Sequence, residues 1–91
     1  MKVWVVLEDW AWNLEIGLEV IGVFDSYEKA KVAFDKAVEK NRRMDEENDF
    51  DQFDLEKDCY NAWLDGEYAT SHTTVTIGEY ELNKMKESLD G

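Results

Sequence analysis

No proline occurs in the 91 residues, so no backbone position forbids a long helix or a paired strand. One cysteine, Cys59, excludes an internal disulfide. A secreted domain this small usually carries several bridges, so a reducing cytosol, bacterial or host, is expected. A single histidine, His72, leaves metal and proton-transfer sites short of their usual groups. The glycines Gly17, Gly22, Gly66, Gly78 and Gly91 are scattered and form no phosphate-cradling loop. The apolar run after Met1-Lys2 stops at Glu8, too short for a signal-peptide core or a membrane span. Base is scarce where acid is dense: residues 45–82 hold twelve carboxylates and only Lys57.

What is present argues for a folded chain. The hydrophobic fraction of 44% supplies a core despite a net charge of −12. At this length one domain is expected over residues 1–91, burying roughly 60–65% of its unfolded surface. Three parts are distinguishable: a hairpin with a basic helix at 1–44, an acidic segment at 45–70, and a last strand with a tail at 71–91. The basic block is Lys29, Lys31, Lys36, Lys40, Arg42 and Arg43, opposed locally by only Asp35 and Glu39. It reads as a solvated helix face, too short and too close to acid for direct nucleic-acid binding.

Val3 to Leu7 is β-branched and aromatic, and predicts a strand that can run on to Trp10. Leu18 to Phe24 predicts a second, paired with the first as a hairpin. Both strands are apolar on both faces: Val3, Val5 and Leu7 oppose Trp4 and Val6, while Leu18, Val20 and Phe24 oppose Ile21 and Val23. Either helices cover both faces or one face meets a second copy. Asp25 with Glu28, or Ser26, caps a helix whose stripe is Tyr27, Ala30, Ala33, Phe34, Ala37, Val38, Asn41 and Met44. Phe50, Phe53, Lys57, Tyr60 and Leu64 recur at helical steps and predict a second helix over about 48–65, closed by Gly66. The competing reading makes Asp65-Gly66 a hairpin turn between Ala62–Leu64 and Glu67–Ala69. His72 to Leu82 predicts the last strand, with a short tail helix over Lys84–Leu89. The expected fold is α+β: a two-layer β-β-α-α-β domain with a small, mainly antiparallel three-stranded sheet and two helices.

On that second helix Glu47, Asp51, Asp54 and Asp58 fall within about 60° of one another and form an acidic face, and Asp49 beside them is a further candidate partner contact. Like charges at helical neighbours lose a few tenths of a kcal/mol per pair, a loss that lysines would avoid. The bland reading is a solubilising face; the functional one is docking on a basic groove. Glu47, Asp49 and Asp51 also alternate like calcium-loop ligands, but glycine and glutamate are missing from the sixth and twelfth positions. Trp10 and Trp12 lie on one side of an extended segment and are candidate partner anchors, or else core. Cys59 with His72 is too thin a pair for a catalytic or zinc site, so no catalytic residue, metal or cofactor is expected.

Three patches carry a resemblance. Met1-Lys2-Val3-Trp4-Val5-Val6, Gly22-Val23-Phe24-Asp25-Ser26-Tyr27-Glu28-Lys29-Ala30 and Ile77-Gly78-Glu79-Tyr80-Glu81-Leu82-Asn83 resemble segments of small bacterial and phage proteins of unknown function. That resemblance implies a β-β-α-β order and transfers no functional residue; the acidic segment is where this chain departs from it. In size and charge the chain is also similar to acidic phage anti-defence proteins, among them anti-CRISPR proteins and DNA mimics. The functional expectation is a non-enzymatic, phage- or mobile-element-encoded inhibitor of a basic partner such as a nuclease or DNA-binding effector. It touches neither nucleic acid nor membrane. The alternative is a self-associating domain, dimerising through Trp4, Val6, Ile21 and Val23, with a merely solubilising acidic face.

Overall fold

The computed structural model describes residues 1–12, 15–65 and 70–81. The chain runs β1 (Lys2–Trp12), β2 (Glu15–Phe24), α1 (Tyr27–Glu47), β3 (Gln52–Leu55), β4 (Cys59–Asp65) and β5 (Thr70–Glu81). All strand pairs are antiparallel, in one five-stranded sheet of order β2-β1-β5-β4-β3. The α+β class is as expected, but the sheet has five strands rather than three, and α1 is the one helix among the described residues.

The predicted second helix is replaced by a hairpin, and the end of α1 shows why. Asn48 caps the helix, and its main-chain N–H and its side-chain amide both donate to the Met44 carbonyl. Asp49 takes φ 64°, the left-handed conformation that aspartate tolerates better than most residues. Its N–H donates to Glu46 O at 3.2 Å, and the Phe50 N–H donates to Asp45 O at 2.9 Å. These two bonds form a Schellman stop, with buried Phe50 as its hydrophobic contact. The chain therefore reverses before residue 50, and Phe50, Phe53, Tyr60 and Leu64 never share a helix. In β4 the relevant period is two: Tyr60, Ala62 and Leu64 face α1, while Cys59, Asn61 and Trp63 face away. β4 and β5 do form a hairpin, but not in the register of the competing reading: Ala62–Leu64 pair with Ser71–Thr73 rather than Glu67–Ala69, and Asp65 is paired with Thr70 instead of turning. Residues 66–69 and the predicted tail helix lie outside the described residues.

The start of α1 follows the sequence. Ser26 Oγ accepts from the Lys29 N–H at 3.3 Å, and Lys29 Nζ pairs with Asp25 at 2.9 Å. The buried stripe is Ala30, Phe34, Ala37, Val38, Asn41 and Asp45. It continues to Asp45 where the sequence reading takes Met44, which is exposed. The stripe packs on Val6, Tyr60, Ala62 and Val75 of β1, β4 and β5.

A β-bulge explains the poor alternation of β2. Val6 pairs with Gly22 but Leu7 pairs with Val20, so Ile21 is an extra residue. Either side of it the facing flips. Phe24 and Gly22 face the helix with Trp4 and Val6, whereas Val23, Val20, Leu18 and Ile16 face away with Val5, Leu7, Asp9 and Ala11. The expected dimer face of Trp4, Val6, Ile21 and Val23 is thus split. Val6 is core, Trp4 and Ile21 pack against it, and only Val23 lies on the uncovered side.

Candidate functional site

The acidic residues singled out in the sequence do not share a helical face. Glu47 ends α1, Asp49 and Asp51 lie in the connection to β3, Asp54 is in β3, and Asp58 is in the β3–β4 turn. Asp58 is used internally. The Tyr27 hydroxyl donates to its Oδ1 at 2.6 Å, and that bond pushes the Tyr27 pKa up to about 12. Lys31 Nζ donates to the neighbouring Lys57 carbonyl, so the turn is pinned to the first turn of α1. Glu47, Asp49, Asp51 and Asp54 are exposed, and none pairs with a cation among the described residues. The last turn of α1 holds no base, and Glu46 and Glu47 sit at the negative end of the helix dipole, where acids are disfavoured.

Trp10 and Trp12 are in β1 rather than in a connection, on the covered side of the sheet. With Glu8 and Thr73 they floor an open cleft of about 380 Å³ between α1 and β2. Glu15 and Glu19 form one wall; Lys40, Asn41, Met44 and Asp45 form the other. Each indole is fixed. Trp10 lies across Gly17, its strand partner, so closely that a Cβ there would come within 2.1 Å of the ring. Trp12 packs on Phe50 at 5.5 Å between ring centroids, tilted by 38°.

Two carboxylates are buried beside this cleft, and sequence reasoning missed both as site residues. Asp45 is 1% exposed and accepts from Tyr60 Oη at 2.8 Å and Thr73 Oγ1 at 3.1 Å. Burial raises its pKa against the opposing pull of those bonds, and the negative charge of Glu8 adds to the rise. Burial and the bond to Asp45 likewise raise the Tyr60 pKa. Glu8 is 6% exposed and makes no hydrogen bond or ion pair among the described residues. The available signals were the spacing Asn41-Asp45, which continues the helix stripe, and the alternation Val6-Glu8-Trp10, which puts Glu8 on an apolar face.

Cys59 and His72 do not make a reactive pair. Cys59 is in β4 with Asn61 Nδ2 at 3.3 Å from Sγ, and His72 Nε2 lies 3.4 Å from Asp9 on the open face. No cluster of three or more metal-ligating side chains occurs among the described residues. No described helix is long and apolar enough to cross a membrane. No curated protein and no solved structure matches this chain. The family described as "Domain of unknown function (DUF7336)" matches residues 1–89, and the chain belongs to it.

Proposed function

We propose that this chain is a non-enzymatic interaction module that docks its acidic end on a basic partner and inhibits it. The observation that carries the reading is the set of exposed carboxylates Glu47, Asp49, Asp51 and Asp54, unpaired among the described residues. Glu47 ends α1, where the helix dipole opposes its charge, and Asp49, Asp51 and Asp54 follow within the next seven residues. Charge held against its local electrostatics is available to a partner with a basic groove, such as a nuclease or DNA-binding effector. The likeness in size and charge to acidic phage anti-defence proteins is what suggests an anti-defence setting. Capture from a bacterial lysate on the immobilised chain, eluted with a salt gradient, tests it. A basic nucleic-acid-binding protein should be retained, released by salt and displaced by DNA. The double variant Asp51→Lys, Asp54→Lys should lose it. Equal retention by the variant, or an empty eluate, would end this reading.

A second reading rests on the open sheet face. Ile16 is 85% exposed and Leu18 68%, beside exposed Val20, Val23 and Tyr80. A patch of three strands and about ten residues spans roughly 480 Å² in projection. That falls short of the ~800 Å² per partner of a standard interface. Self-association would also bring together chains of net charge −12. Both arguments place it second.

A further inference from the structure

The geometry points to the cleft between α1 and β2 as a binding site for an organic cation, a guanidinium or alkylammonium group. Four observations converge. The cleft is within the ~300–1,000 Å³ range of small-ligand sites. Its acids, Glu8, Glu15, Glu19 and Asp45, outnumber its one base, Lys40, and that base pairs with no carboxylate among the described residues. Trp10 and Trp12 are held rigid on its floor, and indole is the best cation–π surface. Glu8, at the floor, is more than nine-tenths buried yet has no partner among the described residues.

Glu8 decides the chemistry. No buried polar side-chain atom of the described residues lacks a partner, so the Glu8 oxygens keep access to the solvent of the cleft, where their charge also bears on Asp45. Asp45, more deeply buried, has two hydroxyl donors; Glu8 has none among the described residues. A second, smaller cleft of about 270 Å³ shares Glu8, Lys40 and Asn41 with the first and runs on along α1 past Ile21, Ala33 and Lys36. Glu8 therefore stands where the two clefts meet, as expected of a group that meets the charged end of a chain laid in the groove. An inorganic cation is disfavoured, because carboxylates that converge as ligands are absent among the described residues and the indoles offer a π-face.

The cation has two sources: an arginine or lysine side chain of a partner, or a free amine. Only the first rests on the interaction reading above. The test follows tryptophan fluorescence while agmatine, or the peptide acetyl-Gly-Arg-Gly-amide, is titrated into the full chain. A citrulline peptide of the same shape serves as the uncharged control. Saturable binding of the cations, at least tenfold weaker with citrulline and in Glu8→Gln, is expected. Tenfold corresponds to about 1.4 kcal/mol. A peptide that binds tenfold tighter than agmatine identifies the source as a side chain; the reverse identifies a free amine. Without ligand, Glu8→Gln should melt higher than the wild type, whereas a Glu8 that serves only the fold would melt lower on substitution. Glu19→Gln, exposed on the edge strand, keeps the fold intact and should weaken binding two- to threefold. No saturable change up to about 10 mM, well above the millimolar constants expected of a weak site, overturns the assignment. So does equal affinity for citrulline, or for Glu8→Gln. Retention of a basic lysate protein together with failure here would remove the cleft and leave the acidic end.

Discussion

The two faces of the sheet invert the usual division of labour. The face under α1 is the buried one, yet it carries the carboxylate of Glu8 and meets that of Asp45 on the helix. The opposite face is wet, yet it shows Ile16, Leu18, Val20 and Val23. In an ordinary half-buried antiparallel sheet, polar side chains would stand on the second and none on the first. The difference shows where folding ends and something else begins. Toward β4 and β5 the covered face closes around Phe34, Tyr60, Ala62 and Val75. Toward the start of β2, beside Glu15 and Glu19, helix and sheet leave a cleft with charge in it. On the open face the aliphatic residues support strand formation, since β-branched side chains suit a pleated surface even when exposed.

The contrast is broken most severely inside the covered face. Phe34 is 1% exposed, and Phe34→Ala should lose about 3–5 kcal/mol in urea unfolding through a cavity that the sheet cannot fill. Asp45→Ala comes next. It strands the hydroxyls of Tyr60 and Thr73, at about 1–3 kcal/mol for an unsatisfied buried donor. Asp45→Asn sharpens the point through pH. The folded pKa of Asp45 is raised above the ordinary 3.8, so the folded state holds this proton more tightly than the unfolded chain. Stability from this group is then greatest below 3.8 and falls as pH rises through the raised value. Glu8 faces the same site and deepens the fall. The advantage of wild type over Asp45→Asn should therefore shrink as pH rises above the ordinary 3.8. An advantage that grew with pH would show Asp45 to be a stabilising anion instead.

How much of this was legible depends on range. The cap at Ser26, the stripe from Ala30 to Asn41 and the strands at both ends follow from local patterns, and the structure extends rather than moves them. The segment after Glu47 failed because a helical period in Phe50, Phe53, Lys57, Tyr60 and Leu64 coincided with residues that alternate in a hairpin. The deciding signal was the Asn48-Asp49 stop, which names no glycine and so reads weakly. The bulge at Ile21 was hidden in the same way: both faces of β2 are apolar, so a slip in register leaves the pattern unchanged. Trp10 and Trp12 were visible as a pair on one side of an extended segment. Their cleft was not, because it exists only where α1, β1 and β2 meet.

Paired glycine substitutions compare the faces directly. At Gly17 a new Cβ meets the Trp10 ring at 2.1 Å, and the indole is wedged between strand and cleft. Gly17→Ala should lose about 1–3 kcal/mol as the ring is forced out, with a change in tryptophan emission. At Gly78, on the open face, the neighbour is Tyr80 at 2.7 Å, but that ring is half exposed and can swing into water. Gly78→Ala should stay within about 0.5 kcal/mol of wild type. Equal losses at the two sites would show that the open face is packed against something after all.

The smallest expected effect carries the most information about the open face. Leu18 and Val20 project from the edge strand β2 with most of their surface already in water, so Leu18→Lys with Val20→Lys removes little buried area. At low concentration the double variant should unfold within about 0.5 kcal/mol of wild type. The informative quantity is mass by light scattering at tens of micromolar. If the aliphatic row only favours strand formation, both proteins are monomers and the second reading fails. If the row is an interface, wild type is a dimer, the lysines place like charges across the symmetry axis, and the variant alone becomes monomeric. In that case the apparent stability of wild type must also rise with protein concentration while that of the variant stays fixed, because only a dimer gains by mass action.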